Sequence, residues 1–554
     1  MSPTKRMLAL ASLLLLAAAG LAVAALCRNP PPATPDQPRG DADDTSPVEK
    51  RPIKEMTAEL RALVNSNSDF ALDLYARLAG DKQGKNLFFS PYSLSSALAM
   101  VVEGARGETA DQMGKALHYA DTLRRAGDEA RTLPWDTARL HTGMAALNDH
   151  FASGSAAAPK QVRDRLDALR KQLQSANQEA AELARKRQWD AQMAAATKSQ
   201  KIAAELNRLQ SEYGQYELRI ANALWGEKTY PFKQSYLDTL HKHYRTGGLF
   251  PVDFRNDFEG ARQRINAWVE KQTRERIKDM IPENVLDEEG KKLLRLVLTN
   301  AIYFKGEWAE VFSEGQTKDD DFLLADAAKV RVPMMCRGDM PGVRYAAFRG
   351  DGTFFDTPGS VPLGEVDPKT VYPDERGITL LELPYKGGAV SMVVIVPRSA
   401  DGLAALEKKL TSANLQTWVG KLQQRSVHVF LPKFKLETEY KLEKTLQEMG
   451  MVRAFLDPRL PKGAQFDGMC DSEDPQLKLY ISKVLHRAFV EVNEKGTEAA
   501  AATAVMMPAK EAAPVSVPFT PTFKADRPFA FLIRDVKTGS ILFLGRMTNP
   551  KPNG

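Results

Sequence analysis

Apolar residues recur at helical spacing in Asp69-Phe70-Ala71-Leu72-Asp73-Leu74-Tyr75, which predicts an amphipathic helix opening the globular part of the chain. Asn86-Leu87-Phe88-Phe89-Ser90-Pro91-Tyr92-Ser93 reads as a short apolar strand followed by a helix start, with a serine cap and proline in the first turn. Gly104-Ala105-Arg106-Gly107-Glu108-Thr109 ends that helix and opens the next. Leu218–Gly226 has strand character, and Ile265, Trp268, Val269 and Ile277 predict a helix around Arg262–Lys278. The nearly unbroken apolar stretch Leu296–Trp308 predicts a central strand buried on both faces. Further strand-like runs follow at Leu380–Pro384, Ser391–Val396, Val427–Phe430, Ala488–Val492, Phe529–Ile533 and Ile541–Leu544. Residues 349–376, rich in Gly, Pro and Asp, read as a long surface loop. Strands with scattered helices and no alternating βαβ rhythm predict a mixed α+β class.

Residues 159–213 carry a different period. Val162, Leu166, Leu169, Leu173, Ala176, Ala180 and Leu183 follow a heptad seam, and Ile202, Leu206, Leu209 and Tyr213 form a second one. The phase breaks near Arg187–Asp190, which predicts an antiparallel helical hairpin inserted into the domain. A single rod of this length would extend about 80 Å and could not rejoin a nearby strand. One long charged spacer helix is the alternative, since no turn residue marks the break.

A third pattern lies some fifty positions before the C-terminus, in Glu494-Lys495-Gly496-Thr497-Glu498-Ala499-Ala500-Ala501-Ala502-Thr503. Every second residue from Thr497 (Ala499, Ala501, Thr503, Val505) is small or β-branched and uncharged. Such alternation lets a segment lie exposed and still be accepted into a sheet, with Gly496 as a backbone pivot. Taken alone, the segment reads first as an alanine-rich helix, and what surrounds it reverses that.

Composition narrows the function classes. The 554 residues hold 76 basic and 70 acidic side chains, a net charge of +6, and no basic stripe interleaved with aromatics of the kind nucleic acid requires. Three cysteines (Cys27, Cys336, Cys470) provide no disulfide framework, so packing must stabilise the fold. At the N-terminus, Lys5-Arg6 precede an apolar run from Met7 to Leu26. A cleaved signal ending near Ala22-Val23-Ala24, an uncleaved membrane anchor and lipidation at Cys27 stay open, and each predicts an exported protein, extracellular or periplasmic. Residues 1–26 are thus read as signal or anchor and 27–56, with seven prolines in 28–56, as a disordered linker. The domain itself spans 57–552, with insertions at 159–213 and 349–376.

Together, Asn86–Ser93, Gly104–Thr109, Leu218–Gly226, Ile265–Ile277, Leu298–Trp308, Leu381–Lys386, Leu431–Phe434, Ile481–Thr503, Arg527–Ile533 and Ser540–Pro550 resemble the serpin family in the family's own order, and the chain looks like an exported, bacterial-type member. The resemblance implies three β-sheets, eight to nine helices and an exposed reactive loop. It implies no enzyme activity and no cofactor or metal, but suicide inhibition of a serine, or cysteine, protease. The cleaved loop would enter the main sheet as a strand, fourteen residues at about 3.3 Å carrying the acylated protease about 45 Å. A binding, carrier or chaperone role is the alternative for non-inhibitory members.

Carried over residue by residue, the resemblance makes Glu494, Gly496, Thr497, Glu498, Ala499, Ala500, Ala501, Ala502 and Thr503 the hinge, and Ser90, Ser93, Asn300, His486 and Trp308 the sheet-opening region. As nucleophiles Ser90 and Ser93 lack any base, and capping is their reading. Fourteen positions beyond Gly496 lies Lys510, so Lys510–Glu511 is the expected reactive bond. Met506, Met507, Ala509, Ala512 and Ala513 stay open as alternatives. The insertion at 159–213 carries eleven basic and seven acidic residues between Lys160 and Glu212, too little excess for a polyanion site. A partner-binding or dimerising coiled-coil arm is expected instead.

Overall fold

The computed structural model describes residues 52–551, apart from 156–159, 187–188, 213–215, 245–247, 284–293, 358–359, 363–374, 471–473, 475–477 and 498–515. The first half runs α1 (Ala58–Asp81), β1 (Leu87–Phe89), α2 (Pro91–Gly104), α3 (Gly107–Ala116), α4 (Thr137–Ser155), α5 (Lys160–Arg185) and α6 (Trp189–Glu212). It continues with β2 (Tyr216–Glu227), α7 (Gln234–His243), β3 (Leu249–Val252), α8 (Phe258–Gln272) and β4 (Leu296–Glu307). Strands dominate thereafter: β5 (Lys318–Leu323), β6 (Lys329–Phe348), β7 (Phe354–Phe355), β8 (Ser360–Pro362), β9 (Ile378–Pro384) and β10 (Val390–Pro397). Two short helices, α9 (Leu403–Lys409) and α10 (Ser412–Gly420), precede β11 (Gln423–Pro432), β12 (Phe434–Lys441) and α11 (Glu443–Glu448). The chain closes with β13 (Lys483–Val492), β14 (Gly496–Thr497), β15 (Ser516–Pro518), β16 (Thr522–Lys524), β17 (Phe529–Asp535) and β18 (Ile541–Met547).

One sheet has the order β12-β13-β4-β2-β3, with β14 added on β4. Another has the order β1-β18-β17-β10-β9-β6-β11-β16, with β5 and β7 on β6, and β15 pairs with β8 in a two-stranded ribbon. The main core lies between the two large sheets and the helices α1 and α2, and a smaller cluster packs α8 against the opposite face of β2, β4 and β13. Alternate residues of β4 divide between them: Leu298, Ile302 and Phe304 enter the main core, while Val297, Ala301 and Tyr303 face α8. A strand with both faces covered is mostly apolar, which is why its sequence reads as a nearly continuous run.

Three local outcomes refine the reading from sequence. Helix α8 begins at Phe258 and ends at Gln272, because Arg274 and Glu275 turn to φ 50° and 59°. The interval 349–376 contains β7 and β8 rather than loop alone. Helices α5 and α6 bury Leu166, Leu169 and Leu206 between them, flanked by Val162, Leu173, Ile202 and Leu209. Ion pairs Arg165–Glu205 (2.8 Å) and Lys198–Glu179 (3.5 Å) run in opposite chain directions, so the two helices are antiparallel. Residues 1–51, including the run Met7–Leu26 and Cys27, lie outside the described residues.

Candidate functional site

Sheet register assembles a polar row beneath α2. Asn300 of β4 lies opposite Asn222 of β2 on one side and His486 of β13 on the other, and His486 lies opposite Tyr440 of β12. Ser90 caps α2: its Oγ accepts from Ser93 N (3.2 Å) and donates to the Leu542 carbonyl (2.6 Å). The Ser90 amide donates to His486 Nε2 (3.2 Å), so Nδ1 carries the imidazole proton and donates to Asn300 Oδ1 (2.5 Å). Asn300 Nδ2 donates to Ser93 Oγ (2.7 Å) and to Asn222 Oδ1, and Ser93 Oγ donates to Asn222 Oδ1 (3.0 Å). Ser90, Ser93, Asn300 and His486 are fully buried. Polar groups so deep are tolerated because each has a partner, and strands that part must surrender these bonds together. Both serine hydroxyls are committed to structure. Asn222 belongs to this cluster as closely as Asn300, and reasoning from sequence missed it; its signal was a lone amide in the apolar run Ile220–Trp225.

Burial pushes the His486 imidazole down to about 3, against the opposing bond to the Asn300 backbone. A folded value below the ordinary 6.5 means that the unfolded chain binds the proton first. Its stabilising contribution is therefore complete above pH 6.5 and is lost as pH falls from there toward 3. The loss is at most about 1.4 kcal/mol per pH unit. The urea midpoint should fall between pH 7.5 and pH 5, and His486→Gln, which can still accept and donate, should flatten that slope. A slope unchanged by the substitution would assign the acid sensitivity elsewhere.

The second part of the site lies at the head of the seam between β13 and β4. These strands pair in parallel from Lys483↔Val297 to Phe489↔Tyr303. Beyond that the chain turns at Asn493–Gly496, and β14 returns antiparallel on β4, with Gly496↔Glu307 and Thr497↔Gly306. Gly496 has φ +142°, and a Cβ there would lie 2.2 Å from the Gly306 carbonyl oxygen and 2.6 Å from Glu307 Cα. Only glycine allows the hinge backbone to approach β4 this closely.

The residues just before Gly496 are firmly held. Trp308 donates from its indole to the Asn493 carbonyl (3.0 Å) and from its amide to the Lys495 carbonyl (2.9 Å), while its ring stacks on Tyr385 at 4.6 Å. The Phe312 amide donates to the Glu494 carbonyl (2.8 Å). The buried Glu494 carboxylate accepts from Thr317 Oγ1 (2.8 Å) and Lys433 Nζ (2.9 Å). Burial pushes that carboxyl up, and the bonds from Lys433, its own backbone and Thr317 outweigh it, holding the group below the usual carboxylate range. Lys433 and Thr317 stand 61 and 177 positions away in the chain, and nothing in their local sequence marks them. Of the expected hinge, Glu494, Gly496 and Thr497 are brought together with Trp308. Glu498 to Thr503, the bond Lys510–Glu511 and the alternatives Met506, Met507, Ala509, Ala512 and Ala513 lie outside the described residues.

The profile of the serpin (serine protease inhibitor) family matches residues 65–550. This chain is a serpin. Human Serpin B4 is 35% identical over 494 residues, covering 89% of this chain and 100% of that protein. The leukocyte elastase inhibitor of Xenopus laevis is 33% identical, covering 88% and 99%. A serpin-like protein of Thermococcus kodakarensis is 32% identical, covering 92% and 91%. Among solved structures, human thyroxine-binding globulin superposes with a TM-score of 0.60 at 25% identity, covering 89% of this chain and 100% of that one. Uncleaved ovalbumin gives 0.59 at 25%, covering 88% and 100%. Serpins are pseudo-substrate inhibitors and not catalysts, so this serpin is not an enzyme, and the family's target is a protease. Human, amphibian and archaeal relatives match alike, so nothing here favours a bacterial subtype.

The expected location requires correction. Among the described residues no helix is long and apolar enough to cross a membrane. Serpin B4 is covered over 100% of its length by 89% of this chain, and the family match begins only at residue 65. The exported, membrane-tethered assignment is withdrawn.

Proposed function

We propose that this serpin traps a serine protease as a suicide substrate. The supporting observation is β14, which already occupies the first antiparallel position at the head of a parallel seam. A strand inserted between two parallel neighbours can be antiparallel to both, and β14 has that direction. Continuing its register down β4 sets Ala499 opposite Phe304, Ala501 opposite Ile302, Thr503 opposite Asn300 and Val505 opposite Leu298, on the face of the main core. Glu498, Ala500, Ala502, Ala504 and Met506 then fall opposite Lys305, Tyr303, Ala301, Thr299 and Val297. The core face thus receives only small or β-branched uncharged residues, and the one acid meets a lysine. In the proposed reaction the protease serine attacks the Lys510 carbonyl, the bond to Glu511 breaks with its amine leaving, and an ester to Lys510 remains. Insertion then carries that ester away before water cleaves it.

Incubation with a panel of trypsin-, elastase-, chymotrypsin- and subtilisin-like proteases should give a complex resistant to denaturing electrophoresis with at least one. The new N-terminus of the released C-terminal fragment identifies the bond. Free turnover by every protease that cuts the loop would defeat the inhibitor reading in favour of a carrier role, a reading that the likeness to thyroxine-binding globulin keeps in view.

The α5–α6 pair is proposed as an inserted arm for partner binding or dimerisation, since its leucine seam is a core of its own. Replacing Lys160–Glu212 by a short Gly-Ser linker should leave the inhibition rate within about twofold, because closing a shorter loop changes the entropy little. A deletion that abolishes folding would show that the arm is part of the body.

A further inference from the structure

The reactive loop is held at both ends, and the second anchor is made by the interval after β6. Beyond the expected bond, β15 pairs antiparallel with β8, with Ser516↔Pro362, Val517↔Val361 and Pro518↔Ser360. The base of this ribbon is well fixed. Phe354 and Phe355 of β7 pair with Phe348 and Ala347 at the end of β6, and Phe354 packs edge-on against Phe348 at 5.7 Å. The Arg349 guanidinium lies over the Phe355 ring at 5.0 Å, and the Lys421 ammonium over Phe354 at 5.6 Å. Arg425 Nη1 donates to the carbonyl of Thr357 (3.2 Å), a buried residue only three positions before β8. On the other side, β15 is followed by β16, which pairs in parallel with β11 from His428↔Thr522. Because of β8, the first described residue beyond Thr497 to be paired is Ser516 rather than Thr522.

We propose that β8, with Val361 at its centre, is a positioning element that clamps the leaving side of the reactive loop in extended backbone for docking to the protease. The inference rests on the inhibitor reading above and adds to it the part of the loop that stays behind. An endoprotease reads extended backbone on both sides of the bond it cuts. Five residues, Glu511 to Val515, separate the Lys510 carbonyl from the clamp, about 17 Å at strand rise. A bait held so close to its bond is presented in one orientation, and a smaller conformational loss remains at docking. Insertion uses the other half of the loop, so the clamp should govern how fast the protease engages and not whether it is trapped.

Val361→Pro removes a backbone N–H from the central pair without touching the loop itself, and Val361→Thr retains both the pairing and the branched side chain. Two readouts decide. Amide exchange at Ser516 and Val517 should be protected in the wild type and Val361→Thr, and lose protection in Val361→Pro. The second-order rate constant for complex formation should fall about tenfold in Val361→Pro, within the range seen for variants of one interface. The stoichiometry of inhibition should not change. A Val361→Cys/Val517→Cys pair, oxidised, should engage the protease at least as fast as wild type. Unprotected amides in the wild type, an unaltered rate in Val361→Pro, or slow engagement by the oxidised pair would each overturn the clamp. If no protease is trapped at all, the inhibitor reading fails by itself; the exchange pattern and the rate of simple loop cleavage, expected to fall alike in Val361→Pro, still decide the clamp.

Discussion

Thr497→Arg should turn the inhibitor into a substrate. In the continued register residue 497 shares its sheet face with Ala499, Ala501, Thr503 and Val505, which come to lie over Phe304, Ile302, Asn300 and Leu298 of β4. None of those four β4 residues offers a guanidinium a carboxylate, and burying an unpaired charge costs several kcal/mol. Thr497 is already paired with Gly306, so the penalty falls at the head of the seam, where the cleaved loop begins to enter and little new pairing offsets it. Insertion slows, deacylation overtakes it, and the stoichiometry of inhibition should rise more than tenfold. Residue 497 lies thirteen positions before Lys510, so the rate of loop cleavage should hold. Thr497→Val, of similar shape and uncharged, should trap normally. A complex band of wild-type intensity from Thr497→Arg would show that this side chain does not enter the sheet.

Cutting the loop should make the protein markedly harder to melt. Extending β14 beyond Thr497 to Met506 would add nine paired residues to the seam now closed by β13 and β4 directly. At about 1 kcal/mol net per hydrogen bond, the gain is on the order of 10 kcal/mol. For a domain of this size that is a rise of about 10 °C or more, since the unfolding entropy grows with length. Circular dichroism melts of intact and loop-cut protein measure it directly. Cleaved Thr497→Arg should show a much smaller rise, which separates strand insertion from any general effect of a nick. Equal midpoints for intact and cut wild type would rule insertion out. The intact state would on this account be held by a kinetic barrier, and the barrier has identifiable parts: the shared bonds of Ser90, Ser93, Asn222, Asn300 and His486 beneath the seam.

Much of this was written in local pattern. The mostly apolar run Leu296–Trp308 gave away β4 because a strand covered on both faces has few polar positions, each of which needs a buried partner as Asn300 does. The Ser90-Pro91 start of α2, the leucine periods of α5 and α6, and the alternation after Gly496 are likewise local, since period and capping depend on near neighbours. The alternation alone could not decide between helix and strand. What favours strand is the antiparallel pairing of Gly496 and Thr497 with β4, a partner nearly two hundred positions away.

Other features were closed to any local reading. The twenty residues of β6 include proline, glycine and charges, and Asp339 and Gly342 adopt positive φ. The strand persists because β5, β9 and β11 pair along it, with register shifts against β11 absorbing the irregular positions. Asn222 became part of the polar cluster only through its register with Asn300. Glu494 has Lys433 and Thr317 as partners only because distant strands converge there. The β8–β15 ribbon joins two stretches of chain that are each too short and too rich in proline to read as strands alone. The sequence by itself determined most of the helices and strands, because these follow from periods of two, three and a half, and 3.6 residues, and its ordered motifs carried the family resemblance that the match over residues 65–550 bears out. Which polar groups share a hydrogen bond, and that Ser516–Pro518 pairs with Ser360–Pro362, was decided by tertiary structure alone, because register between strands far apart in the chain has no local signal.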